Sequence, residues 1–96
     1  MKIILLGEEI GSAIDLHRVL AEKLDFGPYY GNNLAALWDR LTTDVEGPVH
    51  LVWKDSSVSK AKMGEQLFDK VVKLFRDVEA HDKELGRSDV FALSLE

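Results

Sequence analysis

The side chains of this 96-residue chain that could do chemistry are its histidines, its carboxylates and a group of aromatic residues. His17, His50 and His81 fall on three separate segments, and no pair has the spacing of a metal site. Asp15 and His17 are close in sequence, but on a helix they turn to different sides. No nucleophile elbow, phosphate loop or glycine-rich fingerprint occurs. No enzyme, bound metal or cofactor is expected.

Asp39 is more informative. It lies in the run Asn33-Leu34-Ala35-Ala36-Leu37-Trp38-Asp39-Arg40-Leu41-Thr42-Thr43. At about 100° per helical residue, Leu34, Leu37 and Leu41 form a buried side with Trp38 at its flank. Asp39 points away, among Ala35, Ala36, Thr42 and Thr43. Exposed helical faces usually carry long Lys, Glu, Arg and Gln side chains. Small residues let another surface come close, and a lone carboxylate there can enter a cationic pocket. Tyr29 and Tyr30 stand just before this helix, and Trp and Tyr are frequent binding anchors. Plainer readings stand beside this one. Trp38 suits the core, one of the two tyrosines folds onto it, the alanines serve helix propensity, and Asp39 is an ordinary solvated acid. Arg40 lies about 100° around the helix from Asp39 and need not neutralise it.

Composition narrows the partner. The net charge is −5, with 46% hydrophobic and 30% charged residues, as in one globular domain spanning residues 1–96. Direct nucleic-acid binding is disfavoured, because it rests on cationic side chains. An acidic surface favours a basic partner, and it also simply keeps a small protein soluble. The chain has no cysteine, so packing alone must hold it. The apolar start, Ile3 to Leu6, is too short for a signal peptide or a membrane span. The expected location is cytoplasmic, with no membrane contact.

Short gaps separate the elements that position these residues. Ile3-Ile4-Leu5-Leu6 is a continuous apolar run, suited to a strand covered on both faces. Ser12 and Asp15 resemble a capping box ahead of a helix carrying Leu16, Val19, Leu20 and Leu24. Residues 25–33 form a loop, and Asn32 or Asn33 caps the second helix. Val49 to Trp53 is the second strand, and Ser56 to Met63 a short helix stopped near Gly64. Glu65 to Ala80 is a long amphipathic helix with Leu67, Phe68, Val71, Leu74, Phe75 and Val78 inward. Lys83 to Asp89 is a loop, and Val90 to Leu95 the last strand. The order β-α-α-β-α-α-β predicts an α/β fold, a three-stranded parallel sheet with about four helices. Such a sheet is expected to be covered on both faces; which strand is central does not follow.

The stretch from Tyr29 to Thr42, with its Tyr-Tyr-Gly, Asn-Leu, Ala-Leu-Trp-Asp and Leu-Thr, resembles the signature of barstar-type ribonuclease inhibitors. Gly7-Glu8-Glu9-Ile10, Asp15-Leu16-His17 and Val72-Lys73-Leu74-Phe75-Arg76-Asp77 fit the same pattern, in order along almost the whole chain. The resemblance implies an inhibitor that binds a basic, barnase-type ribonuclease, secreted or a toxin, in a 1:1 complex. The inhibitor is expected to be a monomer when free. The second helix and its preceding loop would enter the nuclease active site, with Asp39 in the place of a substrate phosphate. The nuclease-binding residues implied are Tyr29, Tyr30, Gly31, Asn33, Ala35, Trp38, Asp39, Thr42 and Asp77. Asp77 reads equally well as a solvated partner of Lys73. Two positions depart from the family pattern: Ala35 replaces a second carboxylate, and Asp44 replaces an aromatic. Losing the acid at Ala35 should weaken charge steering, and Asp44 could restore part of it. Other classes remain open, namely an immunity protein against a different nuclease toxin, or a general acidic interaction domain.

Overall fold

The computed structural model describes residues 1–45, 47–87 and 90–96. Strand β1 (Lys2–Leu6) ends in a 3-10 turn, Gly7–Glu9. Helix α1 (Ala13–Leu24) and helix α2 (Leu34–Asp39) follow, and α2 continues as a π turn, Arg40–Asp44. Strand β2 (Val49–Lys54), helices α3 (Ser56–Met63) and α4 (Glu65–Glu84) and strand β3 (Phe91–Leu95) complete the order. The parallel α/β architecture with four helices is thus present, and β2 is the central strand.

Each strand places alternate side chains on opposite faces. Ile3 and Leu5, Val49, Leu51 and Trp53, and Phe91 and Leu93 share one face, and all are buried. The other face carries exposed Lys2, Leu6, His50 and Lys54, with Val52 buried between neighbours. The expectation of cover on both faces is therefore wrong. The strand order explains it. Successive right-handed crossovers that step in the same direction put every helix on the same side.

Local sequence fixes the ends of the helices. Ser12 Oγ accepts the Asp15 N–H at 3.1 Å, and the Asp15 carboxylate accepts the Gly11 N–H at 3.0 Å. That backbone bond holds the Asp15 carboxyl below its ordinary pKa. Helix α4 runs four residues beyond Ala80. Asp82 sits four residues after Val78 on its inward stripe and is buried, with its Oδ2 accepting the Phe91 N–H at 2.8 Å. This bond draws the last turn of α4 onto β3. The expected loop from Lys83 starts later, and Ser88 and Asp89 within it lie outside the described residues.

Trp53 is fully buried at the centre of the core, against Phe68 and Phe75. Burying such a side chain contributes about 1.5–3 kcal/mol. Its Nε1 donates to Ser59 Oγ at 3.0 Å, which donates to the Gly7 carbonyl at 3.0 Å. The chain closes so tightly there that a Cβ on Gly7 would lie 1.8 Å from the Asp55 carbonyl oxygen. Replacing Gly7 would force β1 away from the start of α3.

Candidate functional site

The site is built on α2 and the loop before it. Asn33 starts the helix, its Oδ1 accepting the Ala36 N–H at 2.7 Å, while its Nδ2 reaches the Gly31 carbonyl at 3.3 Å. Asn32 adopts a left-handed φ of 54° and donates to the Tyr30 carbonyl. Asn tolerates that backbone conformation better than most residues. Gly31 comes close to the helix, and a Cβ there would stand 3.2 Å from the Ala36 methyl. Three residues of turn chemistry thus fold the loop back onto the first turn of α2.

The two tyrosines part company. Tyr29 is 90% exposed and projects from the loop, as an anchor must. Tyr30 is buried, its ring on Phe26 and its hydroxyl 2.6 Å from His17 Nδ1. Its side chain belongs to the core and holds the loop to α1. Burial pushes the Tyr30 hydroxyl up to about 12 and the His17 imidazole below its ordinary value.

Along α2 and its π turn, Leu37 and Leu41 are buried, and Ala35 and Asp39 are exposed. Ala36 and Trp38 are half-buried against the core, and the Trp38 ring stands edge-on to His81 of α4 at 5.4 Å. Trp38 is therefore both core border and rim. Among the described residues, the Asp39 carboxylate makes no hydrogen bond and no ion pair. Arg40 instead binds Asp44 at 3.0 Å, one turn on. Asp44, which stands where the family pattern has an aromatic, is thus an exposed acid paired with Arg40.

The helical angle places Thr42 on the outer face, and the structure corrects this. Thr42 is buried, donating to the Trp38 carbonyl at 2.7 Å. The cause is the π turn, closed by the Val45 N–H on the Arg40 carbonyl at 3.0 Å. An i→i+5 turn holds more residues per turn, so Thr42 rotates less far from the buried side. Thr43 takes the exposed place and donates to the Asp39 carbonyl. Such π turns occur often at functional sites. The hydrophobic period gave no sign of it. A recess of about 350 Å³ opens beside this turn, lined by Leu41, Thr43, Val45, Asp82 and Phe91 but not by Asp39.

Asp77 lies one turn before His81 on the same side of α4, next to the helix that carries Trp38. Its carboxylate is 2.7 Å from Lys73 Nζ in an exposed pair. Tyr29, Gly31, Asn33, Ala35 and Asp39 are thus surface residues of one loop and helix, Trp38 borders them, Tyr30 and Thr42 lie beneath, and Asp77 is exposed on α4.

The exposed Asp39 carboxylate thus stands on a capped helix among small side chains, and Tyr29 projects from the loop before that helix. Residues 1–94 match the family described as Barstar (barnase inhibitor). The chain belongs to the barstar family. It is also 46% identical over 63 residues to a Bacillus subtilis (strain 168) protein named "Putative ribonuclease inhibitor YrdF", an alignment covering 66% of this chain and 69% of that protein. Barstar membership sets the chain among ribonuclease inhibitors and not among enzymes. The matched span includes every residue of the barstar-like surface described above.

Proposed function

We propose that this barstar-family protein inhibits a barnase-type ribonuclease by seating the exposed face of α2 in its active site. The Asp39 carboxylate takes the place of an RNA phosphate, and Tyr29, Gly31, Asn33, Ala35 and Trp38 surround it. The single observation that carries this reading is that the Asp39 carboxylate is exposed and has no partner among the described residues. A ribonuclease site is built to hold an anion. A carboxylate fixed on a helix satisfies the same donors, and charge-assisted bonds from arginine to it are strong and often bidentate. The helix itself then excludes RNA. Tyr30 and Thr42 act from beneath, holding the loop and the π turn.

The complex is 1:1, formed in the cytoplasm by a free monomer, and the net charge of −5 draws in a basic nuclease. Whether the nuclease is the cell's own or a rival's toxin turns on the enzyme and not on this surface.

Inhibitor mixed with a barnase-type nuclease at equal concentration should abolish RNA cleavage. Undiminished cleavage at micromolar excess would overturn the reading. The association rate should also fall as salt rises, because exposed charges are screened beyond about 8 Å at physiological ionic strength. A rate insensitive to salt would remove the steering.

A further inference from the structure

The outer edge of β3 is unguarded in sequence and guarded in the structure. Edge strands are commonly protected by Lys, Pro or inward charges, since their free N–H and C=O groups invite another strand. Phe91-Ala92-Leu93-Ser94-Leu95 has none of these. β3 pairs with β2 alone. The Glu96 N–H bonds the Trp53 carbonyl, so even-numbered residues turn their backbone groups to β2. Phe91 and Leu93 therefore turn theirs to the open edge.

Side chains of α4 fill that edge. Asp82 Oδ2 accepts the Phe91 N–H at 2.8 Å, and Glu79 Oε2 accepts the Leu93 N–H at 3.1 Å. Arg76 Nη1 donates to the Leu93 carbonyl at 2.9 Å and to Glu79 Oε1 at 2.9 Å. Arg87 stands 3.5 Å from the other Asp82 oxygen. Residues three apart on a helix share a face, so Arg76, Glu79 and Asp82 form one row along the strand.

We infer that this row is a lock on a strand-addition site, and that the partner it withholds is the β3 edge of a second copy of this chain. Two such edges pair antiparallel about a twofold axis; with the axis at Leu93, Leu93 meets its own counterpart and Phe91 meets Leu95. The uncharged segment Phe91–Leu95 meets itself there without like-charge repulsion. The lock makes no use of Asp39, so it stands or falls separately from the nuclease reading.

The test is Arg76→Ala/Glu79→Ala, compared with the parent by size-exclusion light scattering. The double variant should reach about twice the parent's mass or more. Adding Leu95→Lys, a charge on the same edge, should restore the parent's mass. A folded double variant that keeps the parent's mass at high concentration overturns the inference, as does association that Leu95→Lys leaves unchanged. If the double variant does not fold, Glu79→Ala alone is read by the same two criteria. In the parent, the Phe91 and Leu93 amides should exchange at least about tenfold more slowly than unpaired edge amides. Free exchange at both would show that there is no lock.

Discussion

Asp39 on α2 and Asp82 on α4 are both single carboxylates near the end of a helical segment, and their surroundings are opposite. Asp82 is 4% exposed, accepts a backbone N–H of β3 and stands near Arg87. The Asp39 carboxylate is exposed and bonds nothing of its own molecule among the described residues. Two more acids on α4 are also paired within the molecule. Glu79 binds Arg76 and Leu93, and Asp77 binds Lys73. On α2 even the neighbouring cation is diverted, since Arg40 pairs with Asp44. Carboxylates that build a fold find their partners within it. Asp39, without a partner among the described residues and on a face of small side chains, is the carboxylate that the proposed nuclease contact uses.

The largest effect on stability is expected at Asp82. Asp82→Ala leaves the Phe91 N–H buried without an acceptor and should cost about 2–3 kcal/mol, read as a lower urea midpoint at unchanged slope. Nuclease affinity of the folded fraction should stay within about threefold, inside the usual scatter of a distant site. A large affinity loss with intact stability would reverse the contrast between the two acids.

Next comes the buried pair beneath the loop. Tyr30→Phe removes the bond to His17 and should cost about 1–1.5 kcal/mol. The pH dependence follows from two shifts. The Tyr30 hydroxyl is raised from 10.0 to about 12, so the folded state keeps a proton that the unfolded chain releases. Stability is then full below pH 10 and lost as pH rises toward about 12. The Phe variant should lack that alkaline loss. His17 is lowered from 6.5 by burial, so the unfolded chain binds a proton first as pH falls. Stability should therefore decline below pH 6.5, and His17→Asn should flatten the decline. Denaturant midpoints across these ranges check both. A parent flat from neutral into acid would show that His17 is not buried as a neutral ring.

The smallest effect is expected at Asp77. Its exposed pair with Lys73 contributes at most about 0.5 kcal/mol, so Asp77→Asn should barely move the thermal midpoint. A clear loss of nuclease affinity in that variant would assign Asp77 to the interface and add α4 to the binding surface.

Much of this arrangement is legible in the sequence, and what escapes has physical causes. The strands, an asparagine cap at Asn32 or Asn33 and the exposure of Asp39 follow from spacing, because local bonds and hydrophobic period decide them; that the cap is Asn33 comes from the structure. Thr42 is misplaced because a π turn changes the angular step without changing the residue pattern. Tyr30 is told from Tyr29 by its contacts with Phe26 and with His17, the latter thirteen residues away on α1. Asp82 hides on the inward stripe of α4 because an acid there looks like the end of an apolar face. The open face of the sheet depends on the direction in which the crossovers step, which no single segment records.

The most direct measurement is a calorimetric titration of one barnase-type nuclease with Asp39→Ala and, separately, with Asp69→Ala, an exposed acid on α4. Removing one partner of a buried charge pair costs about 3–5 kcal/mol, so Asp39→Ala should weaken binding more than a hundredfold while melting like the parent. Asp69→Ala should bind as the parent does. Equal losses from the two variants would contradict the role of Asp39 as the phosphate's substitute.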